Sequence, residues 1–460
     1  MAEQFDAIVI GSGQGGNPLA VAMAQQGWKT AIVERRFVGG TCVNVGCTPT
    51  KTLVATARVA YLARRAKDFG ITTGSVQIDM PAAIARKREI VARSRGSSTK
   101  RLTNTANLEL IEGDATFTAP HGVAVRLNAG GQRTLTAERI VVDTGVRTHI
   151  PQLEGLSTIS YLDNESILEL EAVPEHLIIL GGGVIALEFA QMFRRFGSAV
   201  TIVQAGPSLV EHEDEDISTE LASILREDGI TLLFNAHATS VASDNGILLS
   251  VDINGTTQQI HGSHLLLAAG RTPNIETLGL EHAGIELNEH GYIQTDEWLE
   301  TNIGGVYAVG DVKGGPQFTH ISYDDYRVLK ANLLDKSYRT IKGRMVPYTI
   351  FTDPELGRIG MTEAEARHSG RSIKVAKMPM SYVARAFESA EERGFLKAVV
   401  DADTDQILGA SCLGVNGGEL ATQIQIAMMG RITASRLRDA TWSHPTWSEA
   451  LNNLFSKYES

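Results

Sequence analysis

The sequence predicts an α/β protein of about three domains. Three observations support this: the length of the chain, a repeated strand–turn–helix pattern, and a change of pattern in the last quarter. With 460 residues, the chain is too long for one ordinary hydrophobic core. Its apolar fraction of 43% and charged fraction of 21% are typical of a soluble globular protein. The net charge of -11 argues against a nucleic-acid-binding surface.

The sequence offers no sign of a membrane span or an export signal. Its longest apolar candidate, residues 177–187, is short and interrupted by three glycines, whereas a span needs about 20 apolar residues. Residues 1–6 lack the basic stretch of a signal peptide. Three cysteines are too few for a secreted disulfide scaffold. We therefore expect a cytoplasmic protein that does not enter the membrane.

The N-terminal segment follows a strand–turn–helix–strand plan. An apolar strand at 7–10 leads into a glycine-rich turn, a helix of small residues and a second strand at 30–33. Gly11 permits the tight turn, Gly13 lets backbone approach a pyrophosphate, and Gly16 lets the helix pack on the strand. The N–H groups at the start of the helix then face the phosphates.

The same plan returns later in the chain, which makes it a repeat of the Rossmann type. Four key positions recur 170 residues on: Gly11 as Gly181, Gly13 as Gly183, Gly16 as Ala186 and Glu34 as Gln204. Glu34 ends its strand and is placed to accept hydrogen bonds from a ribose. One such fingerprint is weak evidence, but two in register, each between a strand and a helix, predict two dinucleotide sites.

Further strands fit the same architecture. Strands at 140–144 and 265–269 are each followed by a glycine, Gly145 and Gly270, and a third at 306–309 leads into Gly310 and Asp311. From Pro347 onward the pattern changes to mixed strands and helices without a nucleotide fingerprint. This change predicts a third domain of the α+β class.

Two of the three cysteines lie close together. Cys42 comes eight residues after Glu34, and Cys47 precedes a helix predicted from Pro49 through Arg65. A thiol near a helix N-terminus has a lowered pKa, and the thiolate is the reactive form. Two alternatives stay open on these residues alone. They are a pair of structural thiols in a packed turn and half of a zinc site, for which the flanking sequence offers no further ligands.

The motif order resembles a known family. Residues 39–51 read Gly-Gly-Thr-Cys-x4-Cys-x-Pro-Thr-Lys between the two fingerprints, and residues 444–449 read His-Pro-Thr-x-Ser-Glu. This order resembles the class I pyridine nucleotide–disulfide oxidoreductases, which include dihydrolipoamide dehydrogenase, glutathione reductase and mercuric reductase. Residues 315–326 look most like the mercuric-reductase-like branch. No cysteine follows Cys412, so the C-terminal vicinal cysteines of mercuric reductase are lacking.

The resemblance implies a domain plan and a reaction. Residues 1–150 would form an FAD-binding domain completed by 273–345, residues 151–272 an NAD(P)-binding domain, and residues 346–460 a dimerisation domain. The implied reaction moves electrons from NAD(P)H through FAD to a Cys42–Cys47 disulfide, and on to a small disulfide substrate or in reverse from a dithiol. The implied assembly is a homodimer without nucleic acid or membrane partners.

The resemblance also implies cofactor-binding residues. For FAD they are Gly11, Gly13, Gly16, Glu34, Thr41, Lys51, Thr144, Gly145, Gly310, Asp311, Thr319 and His320. For NAD(P) they are Gly181, Gly183, Ala186, Gln204 and Gly270. Asp311 would bind the ribityl chain. Thr319 and His320 would open a helix whose dipole favours negative charge on the flavin pyrimidine.

Catalytic roles follow from the same resemblance. Cys47 would lie against the flavin as a thiolate, and Cys42 would exchange with substrate. Lys51 would approach the flavin and pair with Glu188. His444 would act as acid–base for Cys42 in the site of the other subunit, and Glu449 would hold its ring in place.

Some questions stay open on the sequence. Gln204 is neither the carboxylate that favours NADH nor an arginine that favours NADPH, and Ala186 leans only slightly to NADPH. We interpret the acidic run 211–216 as a solvated helix start, and Met378 and Met380 as core residues in preference to copper ligands. The alternatives to disulfide chemistry are a metal-ion or quinone reductase on the same fold and a non-catalytic flavin redox sensor.

Overall fold

The structure is a computed structural model and describes residues 2–459. Its strands are β1 (Glu3–Ile10), β2 (Thr30–Glu34), β3 (Leu108–Ala119), β4 (Gly122–Leu127), β5 (Gln132–Val142), β6 (Val146–Thr148), β7 (His176–Leu180), β8 (Ala199–Val203), β9 (Thr231–Leu233), β10 (Ala236–Ser243), β11 (Ile247–Ile253), β12 (Thr256–Gly262), β13 (His264–Leu267), β14 (Arg271–Pro273), β15 (Val306–Ala308), β16 (Tyr348–Ile350), β17 (Glu355–Gly360), β18 (Ile373–Pro379), β19 (Phe395–Asp401) and β20 (Ile407–Gly414).

The α-helices are α1 (Gly16–Gln25), α2 (Gly40–Asn44), α3 (Cys47–Arg64), α4 (Met80–Thr103), α5 (Val184–Phe196), α6 (Glu215–Glu227), α7 (Leu280–Ala283), α8 (Thr319–Leu333), α9 (Glu363–His368), α10 (Ala384–Glu388), α11 (Gly417–Met429), α12 (Ala434–Arg438) and α13 (Ala450–Leu454). Short 3-10 helices lie at Ala66–Phe69, Leu156–Thr158, Ser166–Glu169, Gly310–Lys313 and Met380–Tyr382.

A mostly parallel sheet organises the first compact unit, which comprises Met1–Thr52, Ile84–His149 and Gly270–Arg344. Strands β3, β2, β1, β5 and β15 are parallel in that order, and β4 adds antiparallel pairing between β3 and β5. Strand β1 is central, so its apolar residues are buried on both faces. Alternate side chains of β1 therefore enter two different core clusters.

The second compact unit comprises Leu53–Ala83, Ile150–Ala269 and Met345–Ser460. It contains a parallel sheet in the order β13-β7-β8-β9 and an antiparallel sheet in the order β10-β11-β12. A five-stranded antiparallel sheet, β16-β17-β20-β19-β18, follows in the C-terminal part of the chain. The predicted fold class, two parallel dinucleotide-binding sheets and a C-terminal α+β region, is confirmed.

The predicted helix after the cysteines is present with a shifted start. It runs over Cys47–Arg64, so Cys47 is its first residue and Pro49 lies in the first turn, where proline is tolerated. Across residues 2–459, no helix combines the length and apolar character that a membrane span requires.

Asp143 joins the end of β5 to the first glycine turn. Its backbone N–H donates to the carbonyl of Ile10 at 2.7 Å, and its Oδ2 accepts from the N–H of Gly16 at 2.7 Å. The side chain is buried, and burial raises the pKa of Asp143 well above its ordinary value, with Asp311 and Asp325 raising it further. A buried acid whose charged form is disfavoured by its surroundings therefore holds the start of α1 against β5.

We predict that Asp143→Asn changes the pH dependence of stability. A raised folded-state pKa stabilises the protein below the unfolded pKa, about 3.9, and this contribution is lost as pH rises through the folded pKa. Asparagine keeps an acceptor for the Gly16 N–H but cannot ionise. The thermal midpoint of the variant relative to the unchanged protein should therefore rise as the pH increases above about 4.

Asp143→Ala provides the control for the hydrogen bond itself. It leaves the Gly16 N–H without its acceptor, which should lower stability by about 1–3 kcal/mol. If the difference in midpoint between Asp143→Asn and the unchanged protein stays constant across the pH range, Asp143 does not titrate as its burial implies.

Candidate active site

Glycine backbone shapes the first turn. Gly11 has a φ of 99°, and a Cβ there would run into the carbonyl of Asp143. Gly13 and Gly16 have no room for a side chain either, because a Cβ at each would lie within 3.0 Å of the Asp143 carboxylate. At the end of β2, Glu34 Oε2 accepts from the N–H and hydroxyl of Ser12 at 3.1 and 2.6 Å. This arrangement keeps the Glu34 carboxylate beside the glycine-rich turn.

Several residues beside this turn fit a bound dinucleotide. Thr144 Oγ1 is buried and finds no hydrogen-bond partner among residues 2–459, which suits an atom that bonds to a ligand. Gly145 has a φ of 65° and Gly310 a φ of 69°. The Gly310 N–H donates to Asp325 Oδ2 at 2.9 Å, and burial raises the pKa of the adjacent Asp311.

The cysteine loop lies against the same turn. Gly39 has a φ of 102°, and a Cβ at Gly40 would lie 2.7 Å from the Cα of Gly13. Asn44 ends helix α2, and its Nδ2 donates to the carbonyls of Val38 and Gly40 at 3.0 and 2.8 Å. Its Oδ1 accepts from Arg95 Nε at 2.6 Å. The short helix that carries Thr41 and Cys42 is therefore fixed at both ends.

The two neighbouring thiols are free and differ in acidity. The hydrogen bond from Cys42 is the largest influence on Cys47, and with the Thr319 hydroxyl and the Lys51 charge it lowers the pKa of Cys47 to about 6. The same hydrogen bond, followed by burial, raises the pKa of Cys42. The Thr319 hydroxyl lies 3.1 Å from Cys47 Sγ. Cys47 is therefore the thiolate of the pair.

Helix α8 supplies the Thr319 contact. Thr319 is its first residue, and the preceding Phe318 stacks on the ring of His320 with centroids 5.5 Å apart. The N-terminus of this helix therefore lies beside the Cys47 sulfur, where its positive end favours the thiolate. The contact between Thr319 and Cys47 was not predicted, because 272 residues separate them in sequence.

The second turn in the other unit repeats the geometry with different side chains. Gly181 has a φ of 110°, and a Cβ there would lie 2.5 Å from the carbonyl of Ala268. Gly183 caps helix α5, and Ala186 is fully buried in its first turn. Gln204 follows β8, and its Nε2 donates to Glu211 Oε1 at 2.9 Å. The sequence predicted a solvated helix start over 211–216; Glu211 is exposed, but the helix begins only at Glu215 and Glu213 is buried.

Glu188 belongs to the second unit and Gly270 to the first. Glu188 lies in α5, is 5% exposed, and its Oε1 accepts from the N–H of Phe351 at 3.0 Å. Its pairing with Lys51 stays a prediction. Gly270, which was assigned to NAD(P), begins the last segment of the first unit, with its carbonyl accepting from the N–H of His149 at 3.0 Å.

His444 and Glu449 form a pair near the C-terminus. His444 Nδ1 lies 2.9 and 3.1 Å from the two carboxylate oxygens of Glu449. The His444 side chain is 66% exposed, so the imidazole lies at the surface of its unit with one nitrogen bonded to a carboxylate. Such a contact fixes the tautomer and leaves Nε2 as the nitrogen for proton transfer.

The structure places all the residues that were predicted to bind FAD in the first unit. Gly11, Gly13, Gly16, Glu34, Thr41, Cys42, Cys47, Lys51, Thr144, Gly145, Gly310, Asp311, Thr319 and His320 belong to the first unit. Gly181, Gly183, Ala186, Glu188, Gln204, His444 and Glu449 belong to the second. Among the described residues, no cluster of three or more His, Cys, Asp or Glu side chains could hold a metal ion.

Two family models match the chain. Residues 5–325 match the pyridine nucleotide-disulphide oxidoreductase model, and residues 346–455 match the dimerisation domain of the same family. The second match supports a homodimer. Together the two matches cover nearly the whole chain.

Curated relatives agree with these matches. The chain is 38% identical over 457 residues to a probable pyridine nucleotide-disulfide oxidoreductase, RclA, of Escherichia coli, covering 98% of this chain and 99% of the relative. It is 35% identical over 451 residues to a mercuric reductase of Streptomyces lividans, covering 97% and 94%. It is 34% identical over 455 residues to a dihydrolipoyl dehydrogenase of Mycobacterium tuberculosis, covering 98% and 97%.

Solved structures show the same relationship. The Cu(II) complex of the HOCl-induced flavoprotein disulfide reductase RclA from Escherichia coli superimposes with a TM-score of 0.90 at 38% identity, covering 99% of both chains. The Cu(II) complex of an RclA mutant with one cysteine replaced by serine gives the same values.

The redox thiol pair, the two glycine turns and the family matches lead to one conclusion about reaction class. The enzyme is a flavoprotein oxidoreductase that uses FAD and NAD(P)H in disulfide chemistry. The predicted family membership is confirmed: this chain belongs to the pyridine nucleotide-disulphide oxidoreductase family.

Proposed function

We propose that the enzyme reduces a small disulfide through Cys42 and Cys47, or oxidises a dithiol in the reverse direction. The observation that carries this proposal is the unequal thiol pair, with the pKa of Cys47 lowered to about 6 and that of Cys42 raised. Two structural thiols would not need this asymmetry. A pair that exchanges with a substrate does, because one sulfur must be stored as thiolate while the other carries the substrate.

We assign FAD binding to the first turn and the residues around it. When bound, FAD would serve as the carrier that accepts hydride from NAD(P)H and passes two electrons to a disulfide. Gly11, Gly13 and Gly16 leave room for its diphosphate, Glu34 suits the adenosine ribose, and Thr144 offers an unused hydroxyl. The remaining residues implied for FAD are Thr41, Lys51, Gly145, Gly310, Asp311, Thr319 and His320.

The thiol steps balance as ordinary exchange. The Cys42 thiolate attacks the substrate disulfide, forms a mixed disulfide and expels one substrate thiolate, which is protonated. Cys47 then attacks the Cys42 sulfur, closes the Cys42–Cys47 disulfide and releases the second thiol. Two electrons from NAD(P)H reopen the pair. One disulfide, one NAD(P)H and one proton give two thiols and NAD(P)+.

His444 is proposed as the proton carrier in these steps. The raised pKa of Cys42 means that its attack needs a base, and the leaving thiolate needs an acid. An imidazole fixed by Glu449 suits both tasks. By resemblance to the family, His444 serves the site of the other subunit in a homodimer, which agrees with its exposed position. Lys51 and Glu188 would form an ion pair beside the flavin.

Metal-ion reduction is the second candidate. The relative that is 38% identical has been solved with Cu(II), both unmutated and with one cysteine replaced by serine. A low-pKa thiolate such as Cys47 is a soft ligand that suits Cu(I). Met378 and Met380 do not add to such a site here, since both are fully buried in the core of the C-terminal region.

We infer a reducing cytoplasmic location, where free thiols persist.

The Thr319 hydroxyl generates a prediction about the Cys47 thiolate. In the reduced enzyme, the long-wavelength absorbance of the thiolate beside the flavin should fall as pH drops through about 6. Thr319→Val removes a hydrogen bond to a charged sulfur, worth about 1.5–3 kcal/mol, so the midpoint should rise by roughly one to two pH units. A pH titration of the absorbance under nitrogen measures both values.

Thr319→Ser is the matched control, because it keeps the hydroxyl and should titrate like the unchanged enzyme. Cys47→Ser should abolish the band and Cys42→Ser should retain it. A band that survives Cys47→Ser but not Cys42→Ser means that the two cysteines have exchanged roles.

His444→Ala should separate the two half-reactions. Flavin reduction by NAD(P)H needs no proton from His444 and should be nearly unchanged. Disulfide turnover should slow by about 10²- to 10⁴-fold, the usual contribution of a positioned acid–base. Glu449→Gln should slow disulfide turnover less, since it loosens the His444 ring without removing it. Stopped-flow flavin reduction and steady-state turnover measure the two effects.

His290→Ala is a suitable control, because His290 is also an exposed histidine beside a glutamate, 3.5 Å from Glu289. It should leave both rates unchanged. The same variants should be assayed with Cu(II) as acceptor, since metal reduction expels no thiol. Disulfide turnover that survives His444→Ala rejects the dithiol mechanism and leaves metal or quinone reduction as the leading function.

A further inference from the structure

The two glycine turns differ in the side chain that lies beside them. In the first, Glu34 accepts a hydrogen bond from the backbone of Ser12. In the second, Gly182 takes the place of Ser12, and a Cβ there would lie 3.0 Å from Gln204 Oε1. Gln204 therefore occupies the place of Glu34 beside the turn, but it brings a neutral amide where the first site has a carboxylate.

A carboxylate nevertheless reaches this position from the following loop. Gln204 Nε2 donates to Glu211 Oε1 at 2.9 Å. The loop folds back because Val210 adopts a φ of 40° and its N–H donates to the carbonyl of Gly182 at 3.0 Å. A side chain at Gly206 would collide with the Glu211 carboxylate, so glycine is needed there. The backbone of this loop therefore leaves the space that the Glu211 carboxylate needs to reach Gln204.

Glu211 differs from Glu213 and Asp216 of the same run, which both have cationic partners. Glu213 is buried beside Arg358, and Asp216 pairs with Lys377 at 2.7 Å and Lys397 at 3.0 Å. Glu211 contacts the neutral amide of Gln204 and is exposed. No lysine or arginine occurs in residues 199–225, so this segment supplies no cation of its own at the end of β8.

We propose that Glu211 is the ribose-recognising acid of the NAD(P) site and makes the enzyme selective for NADH. A carboxylate at the end of the second strand of a dinucleotide fold accepts hydrogen bonds from the adenosine ribose hydroxyls. The same charge repels the 2′-phosphate of NADPH, for which no compensating cation is present in residues 199–225. Gln204 is then a positioning residue that holds Glu211 in place.

The direct test is nucleotide binding to the oxidised, FAD-loaded enzyme by titration calorimetry, with NAD+ and NADP+ as probes. We expect the unchanged enzyme to bind NAD+ at least about tenfold more tightly than NADP+, a difference of about 1.4 kcal/mol. Glu211→Gln keeps the shape of the side chain and removes its charge. It should reduce the NAD+/NADP+ affinity ratio about tenfold or more, mainly by improving NADP+ binding.

Glu215→Gln is the matched control, because Glu215 is an exposed acid of the same run at the start of α6. It removes the same charge from the chain and should leave the affinity ratio within about twofold. Gln204→Ala should lower the ratio less than Glu211→Gln, since the acid remains but loses its hydrogen bond. The ratio of kcat/KM values for NADH and NADPH should follow the affinities in each variant.

Two results would overturn the proposal. Equal or tighter binding of NADP+ by the unchanged enzyme excludes selectivity for NADH. Equal changes in Glu211→Gln and Glu215→Gln assign the selectivity to net charge and remove Glu211 from the ribose site. Both results are independent of the disulfide mechanism, because the binding measurement involves neither Cys42 nor a disulfide substrate.

Discussion

Close contact between two stretches of bare backbone places the redox cysteines. A Cβ on Gly40 would lie 2.7 Å from the Cα of Gly13, and a Cβ on Gly13 would lie 2.7 Å from Asp143 Oδ2. The cysteine loop therefore lies directly on the backbone of the glycine turn, and the Asp143 side chain joins that turn to the end of β5. Cys42 lies two residues after Gly40, so any shift of this contact moves the reactive sulfur. Precise placement of this kind is what exchange chemistry requires.

The acidity of the thiol pair follows from that placement. Cys47 begins helix α3 and Thr319 begins helix α8, so two positive helix ends lie close to one sulfur. Lys51 adds charge, and the Cys42 thiol donates a hydrogen bond. Each contribution is modest on its own, but all favour the same ionised sulfur. Because one proton is held between two thiols, stabilising Cys47 as thiolate also keeps Cys42 protonated until a base removes its proton.

The sequence predicted the framework well because the framework repeats. Two fingerprints separated by 170 residues predicted the two parallel sheets, and β1, β2, β7 and β8 lie where the apolar runs placed them. The contacts that tune the site were not predictable in this way. Thr319 and Cys47 are 272 residues apart, and Asp143 and Gly16 are 127 apart. Such contacts depend on packing that no local spacing encodes. The domain boundaries and the residue roles stay predictions.

The two halves of the repeat show which part of such a fold is free to change. Both halves need glycine at the tight turn, because Gly11 and Gly181 meet the backbone of a neighbouring strand end and no side chain fits. The acid beside the turn is under a weaker constraint. Its carboxylate must reach one point, but the chain may approach that point from the strand, as Glu34 does, or from the loop beyond it, as Glu211 does. Backbone sterics therefore preserve the turn, while the charge beside it can move along the sequence without changing the fold.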